Sequence, residues 1–284
     1  MLTGRVLFAI DFSITAEKIK FCLQELKNIG VNNVLLVNVV DTRYAGIKAA
    51  DIKEKNIEKL KQIKEKITKM GFEVEISVPI GFPEEEILYL AEREDISFLL
   101  IGARGESIIN QIYLGSTAYD VIRKTSRPVL VEKFKKYEEK EFKPAYDRVL
   151  IPTDFSVYVE QIINKFIKLQ KKMKEVVILF VIESSRNEDE LEQKKEKAQE
   201  KLQQLKKKMM EYELADKIKA IISVGDPASK IVQTVETLDL GMIVRSTRGR
   251  SSMDKILLGS TADRVVRQSP VPVLLVPPEV EDKE

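Results

Sequence analysis

The segment Leu114-Gly115-Ser116-Thr117-Ala118 recurs 144 residues further along the chain as Leu258-Gly259-Ser260-Thr261-Ala262. A second pair of segments lies near the start of each copy, where Asp11-Phe12-Ser13 recurs after 143 residues as Asp154-Phe155-Ser156. Two matches in the same order and at nearly the same spacing are typical of an internal duplication. The sequence therefore predicts two homologous domains in tandem.

A charged segment separates the two copies. Residues 135–144 consist mostly of Lys and Glu, lack an apolar period and end at Pro144, which is typical of a solvated linker. The chain has 284 residues, and a prior of about 150 residues per domain also gives two domains. We expect the first domain over residues 1–134 and the second over residues 146–278.

Strand and helix signals alternate through both copies. Continuous apolar runs predict buried parallel strands, and amphipathic segments such as 51–70 and 188–212 predict covering helices. This alternation predicts the α/β class, with a five-stranded, doubly wound parallel sheet in each of the two tandem domains. The expected strands of the first copy are 6–10, 34–40, 72–80, 98–101 and 129–131. Those of the second copy are 149–152, 176–182, 218–223, 242–244 and 273–276.

The composition excludes several classes of site. The chain contains no His and a single cysteine, Cys22, so it can form neither a Ser-His-Asp triad, nor a His-containing zinc site, nor an intrachain disulfide. Its net charge is only +2, which gives no bulk electrostatic reason to expect nucleic-acid binding. No apolar run reaches the ~18 residues of a membrane span, and the N-terminus lacks a signal-peptide layout. We expect a soluble cytoplasmic protein that binds neither nucleic acid nor membrane.

Glycine, hydroxyl and basic residues follow the fourth predicted strand of each copy. In a doubly wound sheet, ligands bind beyond the carboxyl ends of the strands where the winding reverses. The Gly-Ser pair directly precedes a helix, whose free N–H groups and dipole favour an anion such as phosphate. The candidate residues are Gly102, Arg104, Gly105, Gly115, Ser116 and Thr117 in the first copy and Ser246, Arg248, Gly249, Gly259, Ser260 and Thr261 in the second.

An aspartate ends the first predicted strand of each copy. Asp11 and Asp154 stand where a carboxylate would accept a hydrogen bond from a ribose hydroxyl or an adenine amino group. The alternative interpretation is that both aspartates cap the helices that follow them. The glycines have a plain alternative too, as residues required only for turns.

The pattern Gly-x2-Gly-x9-Gly-Ser, with Asp at the end of the first strand, resembles the universal stress protein family, and the resemblance covers both halves of the chain. It implies the adenine nucleotide alpha-hydrolase-like fold and, as in ATP-binding members, ATP or AMP with Mg²⁺ or Mn²⁺ held mainly by the phosphates. By resemblance, the end of strand one lies near the adenosine, which adds Pro152 and Thr153 in the second copy. The main chain of Val39 or Val181 would hold the adenine edge. Neither a GxxxxGK[ST] loop nor a GxGxxG fingerprint is present.

The two copies depart from the family pattern in different places. The first copy keeps all three motif glycines, although the acidic Glu106 follows the second of them and would oppose a triphosphate. In the second copy Ser246 replaces the first glycine, and Arg245 stands where the first copy has Ile101. Two interpretations of Arg245 are open: it pairs with Asp154 and fills the pocket, or it contacts phosphate. The complete glycine set favours the first copy as the nucleotide site.

The leading hypothesis is a nucleotide-binding stress protein that acts as a switch. It would be at most a weak ATPase, because the loop offers no general base and no Lys to neutralise a leaving group. The alternative is a stress-response scaffold with degenerate pockets that acts through a protein partner. One-domain members of the family dimerise through their fifth strands, which implies an intrachain pseudo-dimer here and leaves a homodimer of the whole chain open.

Overall fold

Residues 4–103, 114–133, 144–166, 173–210, 217–247 and 258–278 are described by the computed structural model. The chain divides into two units, Met1–Phe142 and Lys143–Glu284, and each contains a five-stranded sheet in which every pairing is parallel. The predicted α/β class and tandem organisation are therefore confirmed. Among the described residues, no helix is both long enough and apolar enough to cross a membrane.

The first unit has seven strands within its described part. They are β1 Arg5–Ala9, β2 Asn33–Val37, β3 Val40–Asp41, β4 Glu73–Ser77, β5 Ile80–Gly81, β6 Phe98–Gly102 and β7 Val129–Glu132. The main sheet has the order β7-β6-β1-β2-β4, and β3 pairs with β5 in a small second sheet. The helices are α1 Ala16–Asn28, α2 Thr42–Ala45, α3 Ala49–Thr68, α4 Pro83–Arg93 and α5 Ser116–Lys124, with a 3₁₀ turn at Gly46–Lys48.

Within its described residues, the second unit repeats this plan without the small sheet. Its strands are β8 Arg148–Thr153, β9 Glu175–Ile182, β10 Ile218–Val224, β11 Met242–Ser246 and β12 Val273–Val276. Its described helices are α6 Val157–Phe166, α7 Glu188–Met210, α8 Pro227–Leu238 and α9 Ser260–Gln268. The strand order is β10-β9-β8-β11-β12, so the winding reverses between β8 and β11, as it does between β1 and β6.

Complete burial of consecutive residues explains why the central strands read as unbroken apolar runs. Val6, Leu7 and Phe8 of β1 each expose 0% of their surface. Because successive side chains of a strand point to opposite faces, both faces of the sheet are covered. Cys22 of α1 belongs to this interior, and its Sγ donates to the Glu132 carboxylate at 3.5 Å.

The expected strands 34–40 and 72–80 are each divided in two by the structure, so their prediction as single strands was wrong. The break falls at residues 38–39 on one strand and 78–79 on the other. Pro79 has no N–H to donate to the ladder, which explains the interruption. The equivalent strands of the second unit carry no proline there, and β9 and β10 pair without a break from Val176–Ile218 to Ile182–Val224.

The starts of the helices also differ from expectation. Thr15 is the N-cap of α1 and accepts a hydrogen bond from the Lys18 N–H at 3.4 Å. The helix expected over residues 51–70 is α3, which begins at Ala49 after a short helix and a 3₁₀ turn. The helix expected over 188–212 is α7, whose last two expected residues lie outside the described part.

We predict that Gly241→Ala destabilises the second unit. A Cβ at this position would lie 2.6 Å from the Ala145 carbonyl oxygen and 2.9 Å from the Ala145 Cα, and backbone atoms cannot move aside as a flexible side chain can. We expect the free energy of unfolding, measured by urea denaturation, to fall by about 1–3 kcal/mol. The control is Gly259→Thr, whose Cβ would make only an ordinary contact of 3.6 Å. Equal stability of the two variants would contradict this account of Gly241.

Candidate functional site

Each unit has a cleft at the carboxyl ends of its strands, where the winding of the sheet reverses. The cleft of the first unit has a volume of about 330 Å³ and that of the second about 710 Å³. Predicted residues that line the first cleft are Asp11, Val39, Gly102, Gly115, Ser116 and Thr117. Predicted residues that line the second are Pro152, Thr153, Asp154, Val181, Ser246, Gly259, Ser260 and Thr261. Arg104, Gly105, Glu106, Arg248 and Gly249 lie outside the described residues.

One wall of each cleft is the amino end of a helix held against a strand end by its glycine. The Gly115 N–H donates to the Ala103 carbonyl at 3.2 Å, and the Gly259 N–H donates to the Thr247 carbonyl at 3.0 Å. Both glycines are N-cap residues, and neither helix has a side-chain hydrogen bond at its cap. Because intrahelical bonding starts four residues after the cap, the first N–H groups of α5 and α9 have no acceptor within the helix.

These two glycines are required neither by backbone conformation nor by neighbouring protein atoms. Gly115 has φ −58° and Gly259 has φ −59°, values that any residue adopts. A Cβ at Gly115 would meet no described atom within 4 Å, and one at Gly259 would approach only the Thr247 oxygen, at 3.6 Å. The interpretation of these two glycines as turn residues is therefore not supported. The missing side chains leave room above the uncapped helix ends.

The aspartates at the ends of β1 and β8 shape a tight turn. The Asp11 Oδ1 accepts a hydrogen bond from the Ser13 N–H at 3.0 Å, and the Asp154 Oδ1 accepts one from the Ser156 N–H at 2.9 Å. Since Thr15 is the N-cap of α1, Asp11 does not cap that helix, and the capping interpretation is wrong for this residue. Both carboxylates lie in the lining of their clefts.

A phenylalanine in left-handed conformation follows each aspartate, and sequence reasoning missed it. Phe12 has φ 62° and Phe155 has φ 58°, a region that bulky residues rarely occupy. The Nζ of Lys59 lies 4.8 Å from the centre of the Phe12 ring, and the Nζ of Lys201 lies 5.5 Å from that of Phe155. Strained backbone of this kind is concentrated at functional sites. The repeated Asp-Phe-Ser triplet was the available signal.

The two valines expected at the adenine edge have different surroundings. Val39 lies between β2 and β3, whereas Val181 lies within β9, paired with Ser223 of β10. The buried Asn38 precedes Val39, and its Nδ2 donates to the Ile10 carbonyl at 2.8 Å. In the second unit a phenylalanine, Phe180, takes the place of this asparagine.

The ladder between the two strands at the reversal point extends closer to their carboxyl ends in the first unit than in the second. Pairing of β1 with β6 extends to Ala9 and Ile101, whereas pairing of β8 with β11 ends at Leu150 and Ile243. The residue that corresponds to Ala9 is Pro152, which lacks an N–H and cannot extend a ladder as a donor. The earlier end of the ladder accompanies the larger cleft of the second unit.

The chain matches the universal stress protein family twice, over residues 3–133 and residues 145–277. It belongs to the universal stress protein family. This family member is 30% identical over 154 residues to Universal stress protein MJ0577 of Methanocaldococcus jannaschii, an alignment that covers 46% of the present chain and 95% of the relative. It is 34% identical over 141 residues to Universal stress protein MJ0531 of the same organism, covering 46% and 82% of the two chains.

A solved structure resembles the whole chain. The crystal structure of a universal stress protein from Archaeoglobus fulgidus DSM 4304 matches this universal stress protein with a TM-score of 0.76 and 26% identity, and the match covers 100% of both chains. The tandem arrangement of two domains is thus shared with a solved protein of the same family.

Arg245 is the main electrostatic difference between the two clefts of this universal stress protein. Burial lowers its pKa to about 10, and the nearby Asp154 carboxylate acts in the opposite direction. Its Nε donates to the Ser246 carbonyl at 3.3 Å, and its buried Nη1 has no hydrogen-bond partner among the described residues. Arg245 and Asp154 therefore interact electrostatically, but Arg245 does not fill a cleft of about 710 Å³.

The net charge of the lining residues also differs in sign between the two clefts. Arg245 and three lysines of α7, Lys194, Lys197 and Lys201, line the second cleft together with two acidic residues. In the first cleft, Asp11 is the one charged residue of the described lining. Sequence reasoning missed the lysines because they are distant in sequence from the glycine motif. Within the described residues, no three or more His, Cys, Asp and Glu side chains are grouped to hold a metal ion.

We predict that Arg245→Ile, which introduces the residue found at the same place in the first unit, stabilises the protein in the absence of ligand. Below pH 10 the guanidinium is charged in both states, but only the folded state withdraws it from water, so folding loses free energy. We expect a gain of about 1–3 kcal/mol by urea denaturation at pH 7. An unchanged or lower unfolding free energy would show that Asp154 already compensates the buried charge.

Proposed function

We propose that this protein binds an adenine nucleotide, ATP or AMP, at the strand ends and acts as a nucleotide-responsive switch in a cytoplasmic stress response. One observation supports this most strongly. The amino ends of α5 and α9 have N–H groups that no side chain caps. The N-cap residues there are glycines, although no neighbouring described atom would clash with a Cβ at either position. A bound phosphate would satisfy those N–H groups and would use the open space.

The helix ends are suited to phosphate for reasons of charge as well as hydrogen bonding. Aligned peptide dipoles place partial positive charge at the amino end of each helix, where an anion is stabilised. Hydroxyl groups at the first two helical positions add donors, from Ser116 and Thr117 in one unit and Ser260 and Thr261 in the other. These groups would hold the phosphate chain, and Mg²⁺ or Mn²⁺ would be bound mainly by the phosphates themselves.

The opposite side of each cleft is suited to the adenosine. Asp11 and Asp154 are held by their turns with a carboxylate in the cleft lining, where it can accept from a ribose hydroxyl or an adenine amino group. The family resemblance assigns the adenine edge to the main chain of Val39 and Val181. We propose a binding protein with at most weak ATPase activity.

The second cleft is the better candidate for tight binding. The glycine count favours the first copy, but the second cleft has more than twice the volume and a cationic lining. The desolvated Arg245 guanidinium would gain most from an anionic ligand, because its Nη1 lacks a partner among the described residues. Charge and volume therefore weigh against the preference drawn from the motif alone.

We predict that Gly259→Thr weakens ATP binding to the second cleft by about tenfold or more, because the hydroxyl would cap the free N–H groups and the methyl would occupy the space above them. Gly115→Thr should have the same effect on the first cleft. Isothermal titration calorimetry with ATP and AMP would measure the affinity and the number of sites of each variant.

Adenosine without phosphate provides the matched control, since its affinity should change little in either variant. Stability should also stay close to that of the natural protein, because Thr and Gly are similar as N-cap residues. Wild-type affinity for ATP in both variants would contradict the proposed role of the helix ends. Absence of any ATP or AMP binding at millimolar concentration would reject the function itself.

A second candidate function is a scaffold that acts through a protein partner, and an exposed surface of the first unit favours it. Tyr44 and Ile47 are almost fully exposed and Phe82 is 44% exposed. The guanidinium of Arg43 lies 5.9 Å from the Tyr44 ring centre and 5.7 Å from that of Phe82. Aromatic residues and Arg dominate the energetics of protein interfaces. Failure of nucleotide binding would leave this function as the better account. Pairing of fifth strands, within a chain or between chains, stays a prediction.

A further inference from the structure

The second cleft extends sideways onto α7, whereas the first cleft does not extend onto the corresponding helix, α3. Lys194, Lys197, Ala198 and Lys201 of α7 line the second cleft. No residue of α3 is part of the described lining of the first cleft. We call the part of the second cleft between α7 and the rings of Phe155 and Phe180 the α7 extension.

Two substitutions explain why only one cleft is open on this side. In the first unit the Asn56 Nδ2 of α3 donates to the Asn38 Oδ1 at 2.8 Å, and Asn38 in turn donates to the Ile10 carbonyl. This chain of hydrogen bonds joins α3 to the strand ends and closes the side. At the corresponding positions the second unit has Ala198 and Phe180, which cannot form such a chain.

The α7 extension combines aromatic surface with cations. Phe155 and Phe180 contact each other with ring centres 4.6 Å apart, and both rings are part of the cleft lining. Lys201 lies over the Phe155 ring, and neither Lys201 nor Lys197 forms an ion pair with a described residue. Lys194, by contrast, is held by the Ser184 carbonyl at 2.7 Å and by Glu190 at 2.9 Å.

Aromatic rings beside unpaired lysines are the chemistry that binds a nucleobase and its phosphate. A base has a flat face that stacks on aromatic side chains, and lysines attract the adjoining phosphate. We propose that the α7 extension is a subsite for a second nucleotide unit, so that the second cleft takes a dinucleotide while the first cleft takes a mononucleotide. This inference rests on the proposed function, because it assumes a first nucleotide unit at the strand ends.

Isothermal titration calorimetry on the full chain with the dinucleotide pApA, AMP and ADP tests this proposal. ADP is the control for charge, since it matches the formal charge of pApA without a second base. We expect one site per chain to bind pApA about tenfold tighter than ADP, as one additional stacked base would produce. The other site should show no such preference.

Two variants assign the preference to the α7 extension. Lys197→Gln with Lys201→Gln alters only exposed side chains. It should remove most of the preference for pApA over ADP, because any general loss of positive charge weakens both ligands, which have the same formal charge. Phe180→Asn with Ala198→Asn introduces the side chains of the first unit and should give the same result. Because Ala198 is buried and Phe180 is half-buried, this second variant could fail to fold, and the lysine variant then provides the test.

The outcomes separate the inference from the function on which it rests. If AMP and ADP bind but pApA binds no tighter than ADP, the dinucleotide subsite is wrong and the proposed function stands. A preference for pApA that survives in the lysine variant also overturns the subsite. If none of the three ligands binds, both the proposed function and the subsite are rejected.

Discussion

Parallel pairing of buried strands is the constraint on which the rest of this protein depends. It brings the carboxyl ends of all five strands of a unit to one edge of the sheet, and it requires helices to cover both faces. At the point where the winding reverses, the strands on either side lead to helices on opposite faces, so a cleft remains between them. As a consequence, the uncapped ends of α5 and α9, the turns at Asp11 and Asp154, and Val39 and Val181 all lie at that edge.

Duplication preserved this frame in both units while a few residues changed what each cleft can hold. The left-handed phenylalanine, the lysine above its ring and the N-cap glycine occur in both units. The differences are local, namely Asn38 against Phe180, Asn56 against Ala198, and Ile101 against Arg245. Each of them alters the space or charge at the strand ends and leaves the sheet intact, because the strands are held by backbone hydrogen bonds and buried apolar contacts elsewhere. Two copies of one fold can therefore have clefts that differ in volume and in the sign of their net charge.

Two features unfavourable to folding lie at this edge. Two phenylalanines adopt a conformation that costs free energy, and the Arg245 guanidinium is withdrawn from water with one nitrogen lacking a described partner. Such features are expected when residues at a site are selected for a ligand and not for stability.

Much of this protein was determined by its sequence alone. The duplication, the α/β class and the glycine motif before a helix are local patterns, and the strand ends they predict do meet in the clefts. Sequence reasoning did not reveal that the expected strands 34–40 and 72–80 are each divided in two, because the effect of Pro79 also extends to the strand beside it. It also could not place Lys197 and Lys201 in the same cleft as Asp154, since residues more than 40 positions apart come together only when α7 packs against the sheet. The size and charge of each cleft were decided by tertiary structure, because they depend on which side chains from separate elements close the space or leave it open.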